Sequence, residues 1–197
     1  MNKRSHPIAI VYDLISSLGE DYTFNFSRYF YRPQNPLDER EVFSAVGAEI
    51  DDEWLDAQFS QLKEGWELAL NSEVTDPRNR RFHIPMIDFH GRQTDFLLSP
   101  YFRSMVGSRF HGSMRIYDSG RSFHAYSSIL MSNKEWLGFM GALLLLTQPE
   151  GPPIVDVRWV GHRLIGGYSA LRWSCNSSHY LQYPELVPLS RIIPGRM

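Results

Sequence analysis

Cysteine is nearly absent: Cys175 is the only one among 197 residues. A single thiol excludes an intramolecular disulfide and a Cys-rich zinc site. A reducing compartment is the simpler expectation, and a cytoplasmic location with it. Long apolar runs are missing too. The most apolar stretch, Trp136 to Leu146, falls short of the ~20 residues that span a bilayer. The opening MNKRSHPIAIVYDLISSL starts basic, but Asp13 interrupts its apolar stretch and no small-residue cleavage site follows. Neither a secretory leader nor a membrane partner is expected. There is no internal repeat and no low-complexity tract. Lysine is scarce where positive charge is densest, Lys134 being the only one after residue 76.

What is present is a globular composition, 43% hydrophobic and 21% charged. The length suffices to close one core without disulfides, so a single domain over 1–197 is expected. Its 1–80 part is acidic and expected to be largely helical; 81–197 differs in texture. Net charge is −2 but unevenly placed. Residues 1–76 carry fifteen acids against six Lys or Arg, and residues 77–197 carry seven against fourteen. Nearly all the basic excess is arginine, whose planar fork suits phosphate. Such asymmetry admits a nucleotide or nucleic-acid partner, and equally an acidic half neutralised by a basic one.

Along the chain, 7–18 reads as strand or helix and 29–40 as a loop with an Asn-Pro turn signal. Segments 38–47 and 51–70 read as helices, the second with Trp54, Leu55, Phe59, Leu62, Trp66 and Leu70 at helical spacing. Residues 71–81 read as a connection. From residue 82 the texture becomes strand-like: HIPMIDFHG, then two alternating segments joined by Asp118-Ser119-Gly120 as a β-hairpin. Ser132 and Glu135 are spaced as a capping box ahead of a helix. A Pro-Gly break at 149–153 precedes strand-like PIVDVRW and YSALRWS, with Gly166-Gly167 as a tight turn between them. The class is α+β on an antiparallel or mixed sheet.

Three points could carry chemistry. Asp88 and His90 share one face of a strand by period-two alternation, as two ligands of one ion would. Ser122 and His124 share a face in the same way, after the backbone donors of Ser119 and Gly120. Asp156 follows the apolar Pro153-Ile154-Val155 where a strand would meet a site. The separations are 36 residues from Asp88 to His124 and 32 from His124 to Asp156. His111 and His162 read as surface residues. Arg103, Arg109 and Arg115 read either as a template groove or as a solvated face.

Taken in order, these residues resemble the catalytic motifs of the archaeo-eukaryotic primase superfamily. That superfamily includes primase small subunits, primase-polymerases and the polymerase domains of bacterial end-joining ligases. DSGRSFHAY is similar to its Ser-Gly…His strand, and GGYSALRWS to its Tyr-Ser-x-Arg segment. The resemblance covers residues 82–174. It implies an RRM-like sheet core of primase-polymerase type over 81–197. It also implies a divalent-metal site (Mn²⁺ or Mg²⁺) of Asp88, His90 and Asp156, and nucleotide-binding Ser119, Arg121, Ser122, His124 and Arg172. The implied partners are a nucleoside triphosphate, a DNA or RNA template or primer, and a helicase or other replication or repair subunit.

The first motif of that superfamily has two acids, whereas this chain has Asp88-Phe89-His90. Mg²⁺ prefers oxygen ligands and imidazole suits borderline metals. The exchange leaves two outcomes: nucleotidyl transfer with Mn²⁺ or one well-held ion, or a catalytically degenerate binding subunit. A phosphodiesterase using Asp88, His90, His124 and Asp156 is the third reading.

Overall fold

The computed structural model describes residues 3–32, 39–147 and 150–192. Half of the expected 29–40 loop, residues 33–38, and Pro149 of the break lie outside them. Helix α1 (Ile8–Leu18) settles the ambiguous first segment: Ile8, Ile10, Val11 and Leu14 are buried along one side. Strand β1 (Thr23–Phe30) pairs antiparallel with β2 (Arg40–Val46), and after α2 (Asp52–Ser60) with β3 (Trp66–Thr75). β3 then pairs with β4 (Arg81–His83) at one end and with β9 (Ala170–Arg172) nearer its start. β8 (Met131–Ser132) closes that edge against β4.

A second antiparallel sheet runs in the order β10 (Glu185–Leu186), β6 (Met114–Asp118), β7 (Phe123–Ser127), β5 (Met86–Asp88). The α+β class with antiparallel sheets therefore holds. So do the hairpin at 118–122 and the capped helix α5 (Asn133–Leu145), where the Ser132 hydroxyl and the Glu135 carboxylate serve each other's backbone N–H.

Several expectations are corrected. Segment 38–47 is strand β2, not helix; it is an edge strand in which Ala45 alone is fully buried, so its two-residue alternation is faint. The helix over 51–70 stops at Ser60, and Trp66 and Leu70 belong to β3, while Trp54, Leu55 and Phe59 pack into the core from α2. Residues 1–80, expected to be largely helical, contribute β1, β2 and β3 beside α1 and α2. The strand expected through PIVDVRW is a single bridge, Phe89 with Val155, before α6 (Val157–Gly166) begins. Gly166-Gly167 is not a strand turn. It ends α6, with Gly167 at φ +79° as its left-handed cap.

Two cores flank the second sheet. Ile87, Phe89, Ile116, Phe123 and Ala125 face α5, α6 and the short helices α3 (Pro100–Val106) and α4 (Ser108–Ser113). On the other face Met86, Tyr117 and Tyr126 join Phe24, Phe26, Leu68, Leu70 and Trp173 under α1 and α2. The alternation puts Asp88 and His124 on this second side, toward the first sheet. The Ser132 hydroxyl accepts from the Glu135 N–H and donates to its carboxylate, so Ser132→Ala should lower stability by about 1 kcal/mol in urea unfolding, whereas Leu137→Ala on the exposed side of α5 should change it little.

Candidate functional site

β5 is short, but it is bonded along both edges. Asp88 is in register with His124 of β7, and the Phe89 N–H donates to the Phe123 carbonyl. On the other edge the Asp156 N–H donates to the Asp88 carbonyl at 2.9 Å, and the His90 N–H to the Ile154 carbonyl at 3.0 Å. The sequence-separated points therefore meet because their backbones are paired. A cleft of about 520 Å³ opens between the two sheets, and Asp88, His90, Ser119, Arg121, Ser122, His124, Asp156 and Arg172 all line it.

Asp156 is the N-cap of α6, its Oδ1 accepting from the Arg158 and Trp159 N–H groups. Both bonds fall on one oxygen, so Oδ2 is not used by the cap. Burial pushes the Asp88 carboxyl up to about 8, and the Asp156 charge pushes the same way. Arg172 and a hydrogen bond from Ser122 act against them. Asp88 Oδ1 lies 3.8 Å from His124 Nε2, beyond a hydrogen bond. The His124 imidazole is lowered to about 3 by burial and then by Arg172, with Asp118 opposing, so it is neutral at pH 7. Its Nδ1 is buried with no hydrogen-bond partner among the described residues. Such an atom costs free energy on the order of 1–3 kcal/mol in the folded chain.

The 118–122 turn is tightly built. Arg92 grips both Asp118 oxygens, at 2.7 and 2.6 Å, and donates to the Gly120 carbonyl. Gly120 sits at φ +102° and gives its N–H to Asp118. Ser119 bonds Ser122 through backbone and hydroxyl alike. Arg172 is 4% exposed. Its Nη2 donates to the Ser119 carbonyl at 2.8 Å, and its Nη1 to the carbonyls of Gln182 and Ser174. It also stacks over Tyr180 at 3.9 Å. The guanidinium thus holds the turn and contributes charge to the cleft from behind.

Sequence reasoning missed part of the wall. Tyr29 and Arg40 line the cleft from β1 and β2, in register, with the guanidinium 4.2 Å above the ring. Arg158, His162 and Arg163 line it from α6. The helix-like spacing after Asp156 would have found the last three. Nothing local signals the first two, which arrive by long-range pairing. Arg103, Arg109 and Arg115 do not line the cleft, and Arg115 pairs with Asp13 across the acidic and basic parts.

Among the described residues no three His, Cys, Asp or Glu side chains converge as a metal cage. The Asp156 carboxylate lies close enough to raise the cost of ionising Asp88, and that oxygen donor pair fits one hard divalent cation. A third ligand would come from elsewhere.

The Asp88 shift has a defined sign. From pH 4 to 8 the folded, metal-free chain keeps a proton that the unfolded chain has lost, so stability falls as pH rises through that window. The buried His6, His83 and His124, lowered to about 4, 4 and 3, act oppositely but only up to their unfolded value of 6.5. Between pH 6.5 and 8 the Asp88 effect is therefore free of theirs. Asp88→Asn should remove a loss on the order of 1–2 kcal/mol over that interval at ~1.4 kcal/mol per unit. Denaturation of both proteins at the two pH values in chelator checks it.

A family model described as AEP-like, archaeo-eukaryotic primase 1D-like, matches residues 46–185. That span holds Asp88, the 118–124 turn and strand, Asp156 and Arg172. No curated protein and no solved structure matches the chain. With more than half its length matched, including every element that brings these groups to one cleft, the chain belongs to the archaeo-eukaryotic primase 1D-like family.

Proposed function

We propose that the cleft binds a nucleoside triphosphate with one divalent cation, as a primase-polymerase-like nucleotidyltransferase acting on nucleic acid. The carrying observation is His124: a buried, neutral imidazole with an unpartnered Nδ1, beside a carboxylate pair in a cleft lined by Arg121, Arg158 and Arg172. A phosphate oxygen or hydroxyl would supply the missing partner. Asp88 and Asp156 would hold the cation, Mn²⁺ or Mg²⁺, with His90 on the same cleft as a further candidate ligand. The ion would supply the positive charge that such transfer requires at the triphosphate and the attacking hydroxyl.

The remaining tasks fall to the chain. Ser122 brings its hydroxyl to the cleft, the Ser119 and Gly120 N–H groups being engaged inside the turn, and Arg121, which is exposed, offers a charge to meet phosphate. Arg172 keeps the turn in place through the Ser119 carbonyl. Burial of His124 keeps it uncharged, so it addresses a ligand through hydrogen bonds rather than as a cation.

One observation favours a second reading. The absence of a three-ligand cluster among the described residues fits a binding subunit that has kept nucleotide affinity and lost transfer. Nucleotide binding and primer extension with Mg²⁺ and with Mn²⁺ separate the two. The informative variants are Asp88→Asn and Asp156→Asn, because Asn preserves the α6 cap that Ala would remove. Metal-dependent binding should fall at least tenfold in each, and extension should vanish. Binding without extension in the parent chain would support the second reading, and unchanged binding in both variants would overturn the carboxylate assignment.

A further inference from the structure

We infer that an aromatic ledge at the mouth of the cleft carries single-stranded nucleic acid by base stacking. The inference rests on the proposed nucleotidyltransferase reading for its purpose, but on different residues. Phe30 ends β1 and Trp66 begins β3; they are register partners, with ring centroids 6.5 Å apart. Phe30 is 46% exposed. Its ring lies against Gly65, at φ +77°, where a Cβ would come within 2.7 Å of it. Next along the chain, Tyr31 lies 4.3 Å from the His179 ring at 30°. Phe30, Tyr31, Trp66 and His179 all line the cleft that holds Asp88 and Asp156.

Cations alternate with these rings. The Arg32 guanidinium is 5.6 Å from the Phe30 ring, and the Lys63 ammonium 5.0 Å from that of Trp66. Lys63 also approaches Glu41 at 4.0 Å, but both are exposed and such a pair holds little in water. A half-exposed Phe30 ring beside the partly buried Tyr31, Trp66 and His179, with cations over two of the rings, fits the bases and phosphates of a single strand; a duplex hides its base faces. Phe30, Tyr31 and Arg32 precede the span matched by the primase family model, whereas Lys63, Trp66 and His179 lie within it.

The test is fluorescence anisotropy with labelled twelve-residue oligo-dT, oligo-U and an abasic deoxyribose-phosphate strand of equal length. Oligo-dT should bind the parent chain at least about tenfold more tightly than the abasic strand. Phe30→Ala should reduce oligo-dT to the abasic level, and Phe30→Trp should retain the parent affinity. The oligo-U arm tells whether RNA is held as well as DNA. Equal binding of base-bearing and abasic strands overturns the ledge, as does equal loss in Phe30→Ala and Phe30→Trp. Metal-dependent triphosphate binding is measured on the parent chain as the separate readout of the Asp88 and Asp156 site. If the parent binds no triphosphate yet discriminates bases through Phe30, the ledge stands and the nucleotide site fails; the converse result separates them the other way.

Discussion

The arrangement depends on a short run of backbone, residues 86–90, being hydrogen-bonded on both sides. One edge is fixed by β7 in register with Asp88 opposite His124, and the other by the 154–156 segment through the Asp88 carbonyl. Backbone groups buried in that position need partners, so the pairing is obligatory once Ile87 and Phe89 enter the core beneath the helices. Period-two alternation then leaves Asp88 and His124 no choice but the opposite face. The geometry of the cleft is here a by-product of sheet register.

The electrostatics of the cleft run against stability. A carboxyl held near 8 and an imidazole held near 3 are both kept from the charge state they would have in water. Arg172 lowers the cost of ionising Asp88 without pairing with it: its Nη groups donate to the Ser119, Gln182 and Ser174 carbonyls, its face lies on Tyr180, and its buried Nε has no partner among the described residues. It braces the turn instead, while Arg92 braces it from outside through Asp118. Rigid surroundings with unsatisfied groups at the centre are what a ligand-binding site needs before the ligand arrives.

The parts legible in the sequence were those set by neighbours in the chain. The 118–122 hairpin, the Ser132–Glu135 capping box and the Asp88, Ser122, His124 and Asp156 motif order needed no distant partner to be seen. Segment 38–47 reads as helix because an edge strand with little burial carries a weak alternation, and the sequence alone does not single out Arg40. Asp156 was read at the end of a strand although its cap signal was present: an Asp, then ten helical residues, then a left-handed glycine. The pairing of Tyr29 with Arg40, and of Phe30 with Trp66, joins segments ten or more residues apart and left no local trace.

Asp88 holds its proton at neutral pH in the metal-free chain, and the proposed cation would displace it. A ¹³C NMR titration of the Asp88 carboxyl, with and without Mg²⁺, tests this most directly. The account predicts titration near pH 8 in the metal-free chain and a marked fall when Mg²⁺ is added. Titration near 4 without metal, or a midpoint near 8 that Mg²⁺ leaves unmoved, would contradict it.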